Sequence, residues 1–135
     1  MNTPNFRTLH GVNIKSINYD DEHDIKLCTS NGDYNLTFDS ECCEQSWFYL
    51  NFNPEHSHGI CTSVEISETK IYNSNERDKI VAIYGDNIYP SYVKLKKYID
   101  IYTIVIECDV EKFEIVCLST SNGYYIPTLK FSLIE

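Results

Sequence analysis

Two short stretches hold most of the residues able to do chemistry. Cys42-Cys43-Glu44 sets adjacent thiols beside a carboxylate, and thirteen residues after Cys43 begins His56-Ser57-His58-Gly59-Ile60-Cys61. On an extended segment, positions two apart point the same way, so His56 and His58 can converge. A zinc ion takes four N or S ligands in a tetrahedron, and Cys43, His56, His58 and Cys61 make a candidate set. Their spacing matches no standard zinc pattern, and adjacent cysteines seldom both chelate. Buried thiols and solvated histidines are the plainer reading, so no cofactor is expected and zinc stands as the alternative. A cysteine nucleophile needs a neighbouring base and a lowered thiol pKa. Asp39, Glu41 and Glu44 surround the cysteine pair with negative charge, which works the other way. No Gly-rich phosphate loop, GxSxG, HExxH or EF-hand pattern occurs, and no carboxylate spacing singles out an acid/base pair. A non-catalytic protein is the expectation.

A third group has no catalytic chemistry but suits recognition. Asn122-Gly123-Tyr124-Tyr125 puts two large amphipathic rings directly after a turn signal. An exposed Tyr at a hairpin tip offers area at low entropic cost. The competing role is structural, a Thr120–Tyr125 cross-strand pair that pins the turn.

The elements that must carry these groups are strands. Leu27–Phe38 (LCTSNGDYNLTF) and Leu118–Leu129 (LSTSNGYYIPTL) agree at seven of twelve positions without a gap. Asn-Gly between alternating apolar runs is a strong hairpin signal, because a type I′ turn needs positive φ at both central residues. With Asn31-Gly32 at the first tip, Thr29 faces Tyr34 and Leu27 faces Leu36. One side of that hairpin then collects Ile25, Leu27, Leu36 and Phe38. With Asn122-Gly123 at the second tip, Thr120 faces Tyr125 and Val116 faces Leu129. Phe113, Ile115 and Cys117 on one side, against Val116 and Leu118 on the other, mark a more central strand. Pro127 places its strand at an edge or bulge. Further strands are read at Gly11–Tyr19, Ser46–Phe52, Cys61–Ile66 and Tyr98–Cys108, with a turn at Asp109–Glu111. Lys79–Tyr84 fits a strand or one helical turn, while Thr69–Arg77 and Asp86–Ser91 read as loops. The predicted fold is all-β, a mostly antiparallel meander, sandwich or partly open barrel with at most one or two short helices.

Composition bounds the rest. At 135 residues, one domain over 1–135 is expected, with 1–10 as a flexible leading segment. A hydrophobic fraction of 42% supports a folded core, and eleven Tyr favour strands. A net charge of -9 disfavours nucleic acid, because neutralising phosphates takes Lys and Arg. Lys94, Lys96 and Lys97 are too few to reverse this. The start of the chain shows no secretory signal, and no run approaches the ~20 apolar residues of a membrane-spanning helix. Six cysteines then read as reduced thiols inside a cell.

The pairing of Asp-x-Glu-Cys-Cys-Glu at 39–44 with Ser-Asn-Gly-Tyr-Tyr at 121–125 resembles a small protein family of bacteriophages and large DNA viruses. The resemblance covers about 24–48 and 102–131. In that family a His precedes the cysteine pair and a Ser follows the tyrosines. Here Phe38 and Asp39 stand in the first region and Ile126 in the second, which weakens any metal or catalytic role for the motif. The family has no established activity. What the resemblance implies is a viral accessory or virion protein; the residues themselves add the expectation of a single β domain that works in the host cytoplasm as a binding module. Asn122, Gly123, Tyr124, Tyr125, Cys42, Cys43 and Glu44 would form its surface, with a protein as partner or a second copy of the chain. A structural component of the virus particle is the alternative.

Overall fold

The computed structural model describes residues 5–21, 24–39, 45–50, 52, 54, 56–71, 74–89, 98–121 and 128–134. Eight strands run in chain order: β1 Asn13–Asp21, β2 Asp24–Thr29, β3 Gly32–Asp39, β4 Gln45–Leu50, β5 Gly59–Ile71, β6 Tyr98–Cys108, β7 Lys112–Ser121 and β8 Thr128–Leu133. One helix, α1, spans Ser74–Tyr84. The sheet order is β4-β7-β6-β5-β1-β2-β3-β8, and every pairing is antiparallel. The fold is all-β, as the alternating apolar runs demand.

Two local meanders, β1-β2-β3 and β5-β6-β7, make up most of the sheet. They meet at a narrow seam where Asn13 pairs with Ile60 and Ile14 with Gly59. The two halves then face each other across one core. Ile14, Ile17, Ile25, Leu27 and Leu36 come from one side, and Phe48, Tyr102, Ile104, Phe113 and Ile115 from the other. Phe38 stacks on Phe48 with ring centroids 5.1 Å apart, and the Tyr19 hydroxyl donates to the Phe48 carbonyl, so β4 closes toward β1 and β3. Ahead of β1, a 3-10 turn at Arg7–Leu9 buries Leu9 fully.

The first hairpin keeps the predicted buried side but not the predicted partners. Leu27 faces Tyr34 and Ile25 faces Leu36, a two-residue offset with Ser30 and Asn31 at the tip. Thr29 drives this: its Oγ1 donates to the Gly32 carbonyl at 2.6 Å and accepts from the Asn31 N–H at 3.1 Å. The offset leaves Tyr34 buried and stacked on Phe131, centroids 5.0 Å apart.

Among the described residues β7 and β8 do not pair as the second hairpin requires, and its tip, with Tyr125 and Pro127, lies outside the described residues. Val116 pairs with Tyr49 and Thr103, whereas Leu129 pairs with Phe38. β7 therefore lies between β4 and β6, and β8 sits at the far end of the sheet on β3. A free edge on β3 and an apolar β8 outweigh the local turn signal.

A second layer covers the outer face of β4, β6 and β7. The stretch read as a loop at 69–77 instead completes β5 and begins α1. Ile80, Val81 and Tyr84 of α1, with Ile88 from the 3-10 turn Asp86–Ile88, pack on Trp47, Ile99, Ile101, Val116 and Leu118. Trp47 Nε1–H donates to the Ile88 carbonyl at 2.7 Å, and the Tyr49 hydroxyl to the Tyr84 carbonyl at 2.9 Å. Among the described residues no helix is long and apolar enough to cross a membrane.

Candidate functional site

The two ends of β7 define two places of interest. At its C-terminal end, Thr120 pairs with Gln45, the first residue of β4. On the other edge of the sheet, Asp39, the last residue of β3, pairs with Thr128, the first of β8. The connection 40–44 joins β3 to β4, and 122–127 joins β7 to β8. Both therefore link the same two strand pairs, and at each end they start from neighbouring strands, about 5 Å apart. Cys42, Cys43, Glu44, Asn122, Gly123, Tyr124 and Tyr125 all lie in these connections, outside the described residues.

The described interior changes character at this end. By strand alternation Ser46, Asp100 and Ser119 share the inward face with Phe48, Tyr102 and Cys117. All three polar residues are buried, and Ser46 Oγ donates to Ser119 Oγ at 3.1 Å. Thr120 Oγ1 accepts from the Gln45 N–H at 3.1 Å, tying the start of β4 to β7. One alternation step deeper, the Tyr102 phenol is fully buried, and its hydroxyl has no hydrogen-bond partner among the described residues. Burial, with the charges of Glu68 and Asp100, pushes its pKa well above the usual phenol range.

At the opposite end of β7 the histidines meet an acid that the sequence reading missed. Glu111 closes the β6–β7 turn, with its carbonyl accepting from the Cys108 N–H at 2.8 Å. His56 Nε2 lies 2.8 Å from Glu111 Oε1, and His58 Nδ1 contacts the same oxygen. The two imidazole centroids are 4.6 Å apart. One donor atom from each of the three residues falls within 4.8 Å of the other two. His58 is held by its N–H donating to the Ile14 carbonyl at 2.9 Å, and by Phe52 and Phe113 around its ring. Burial alone would raise the Glu111 carboxyl, but the His58 and His56 contacts outweigh it and lower the pKa.

Cys61 does not join this group. Gly59, at φ +96°, redirects the chain between His58 and Cys61, and the Cys61 side chain enters the core. There it sits opposite Cys108 in the β5–β6 ladder, with its Sγ 3.7 Å from the Ser63 carbonyl. Burial raises the Cys61 thiol, with the Ser63 and Cys108 contacts offsetting it in part. Burial and the neighbouring Cys61, Asp109 and Glu111 push Cys108 up to about 12. Neutral, desolvated thiols of this kind are poor nucleophiles and poor ligands. The candidate zinc set thus divides: His56 and His58 come together, Cys61 faces away, and Cys43 lies outside the described residues. Comparison of the chain with protein-family models, curated proteins and solved structures found no match.

Proposed function

We propose that the chain is a viral accessory protein acting as a non-catalytic binding module. Its recognition end is the one from which the Cys42-Cys43-Glu44 and Asn122-Gly123-Tyr124-Tyr125 connections leave the sheet. The supporting observation is the strand register: Gln45 beside Thr120, and Asp39 beside Thr128. Two motifs eighty residues apart in sequence are thereby bracketed by the same two strand pairs. A polar, buried base of Ser46, Asp100 and Ser119 underlies these strand ends, whereas a purely structural strand crossing would favour apolar filling. The partner is a protein, engaged by the paired tyrosines as aromatic anchors.

The test is the double variant Tyr124→Ala/Tyr125→Ala, with the wild-type chain as bait in lysate from infected host cells. The expected outcome is a Tm within about 3 °C of wild type, a shift under 1 kcal/mol, together with loss of the captured partner. A variant that unfolds assigns the rings to the core and refutes the reading, as does undiminished capture by a folded one.

A further inference from the structure

We infer that His56, His58 and Glu111 form a binding site for a divalent first-row transition metal ion of the zinc class. Three observations carry this. The donor atoms of the three side chains lie within 4.8 Å of one another. Ligands 2.0–2.2 Å from a tetrahedral ion stand ~3.3–3.6 Å apart, within that limit and a small opening away from the 2.8 Å between His56 Nε2 and Glu111 Oε1. Second, the three come from two chain segments that are fixed to the sheet and to each other. The histidine segment is fixed by Ile17 N–H to the Pro54 carbonyl at 2.8 Å and His58 N–H to Ile14. The acid is fixed by its hairpin, with Asp109 Oδ1 accepting from the Ile60 N–H at 2.7 Å.

Third, the His58 side chain is fully buried, and the Nδ1 it turns toward Glu111 is the ring atom that would bind the ion. One hydrogen bond to a carboxylate is thin compensation for desolvating an imidazole, whereas a metal–nitrogen bond is ample. The donor set selects the metal. Two imidazoles and a single carboxylate suit zinc, cobalt, nickel or ferrous iron, and poorly suit magnesium or calcium, which take oxygen shells. His56 is 45% exposed and Glu111 33%, so the ion would present an open fourth position to water. The ion would take the nitrogen lone pairs that face the carboxylate, each imidazole binding as the neutral ring with its single proton on the other nitrogen and any displaced proton passing to water.

This site lies at the other end of β7 from the recognition end, so either assignment can fail without the other. The full-length chain, stripped with EDTA and dialysed, is titrated with Zn²⁺ by calorimetry and with Co²⁺ by visible absorption. One equivalent is expected, with the stronger absorption bands of four-coordinate cobalt. His56→Ala and Glu111→Gln alter partly exposed side chains and should fold, yet each should weaken binding ~100-fold or more. Cys61→Ser should leave the affinity unchanged, as should Cys42→Ser/Cys43→Ser. The assignment is overturned if the wild type shows no saturable binding. It is equally overturned if zinc is kept in Glu111→Gln and lost with the cysteine pair, because the ion then belongs to the thiols.

Discussion

Gly59 meets two demands that no other residue type meets together. Its φ of +96° lies in the region that L side chains avoid, and an added Cβ would fall 2.1 Å from Asp109 Oδ1 and 2.7 Å from Val110 Cγ2. Asp109 is the residue whose carboxylate holds the Ile60 N–H and whose own N–H donates to the Ile60 carbonyl at 3.0 Å. Gly59→Ala therefore strains the backbone, by roughly 1–2 kcal/mol, and also displaces a hydrogen-bonded turn, at about 1 kcal/mol more. Gly11, at φ +76° with open space around it, is the control: Gly11→Ala should show only the backbone part. Urea denaturation of the two variants checks this, and equal losses would remove the steric argument. The same locality explains what could be read of the site. His56 and His58 are two apart on an extended segment, so their convergence was legible. Glu111 was not, because it meets them only through the long β5–β6 register, which no local pattern encodes.

At the level of single elements, alternation exposed the buried side of the first hairpin but not its partners. Both registers keep Ile25, Leu27 and Leu36 on one face, and Thr29 and Tyr34, through contacts within the turn and with Phe131, help select between them. α1 was hidden for a different reason. Ile80, Val81 and Tyr84 mark its inward stripe, and three positions are too few to show a period. Its cover of the sheet rests on two donors, which makes the layer testable. Trp47→Phe leaves the buried Ile88 carbonyl without its partner and should cost about 1–3 kcal/mol. Tyr49→Phe loses a half-buried hydrogen bond and should cost about 0.5–1.5 kcal/mol. Because Trp47 is the only tryptophan, both transitions are best followed by circular dichroism. Were Tyr49→Phe the costlier change, the capping role given to Trp47 would be misplaced.

For the chain as a unit, antiparallel β architecture followed from composition and pattern, while the strand order did not. The repeated Thr-Ser-Asn-Gly-x-Tyr phrase closes a turn at β2–β3, yet at its second occurrence it leads out of β7 toward a strand on the opposite edge. Sequence identity at five of six residues says nothing about a distant partner strand. The same topology sets an order of assembly. Pairing closes short loops at β1–β2, β2–β3 and β6–β7 and the longer connection 72–97 at β5–β6, whereas β4 docks on β7 and β8 on β3 across most of the chain, and long closures come late. Leu129→Ala in β8 should accelerate unfolding with a φ-value near zero, and Leu27→Ala in the first meander should slow refolding. A chevron analysis decides between this and the reverse. During synthesis β8 emerges after every other strand of the sheet, so β3 waits with a bare edge until 128–133 has cleared the ribosome. The stretch bearing the paired tyrosines thus gains its second anchor only once β8 has emerged, and a product truncated before 128 would carry the motif with one end untethered.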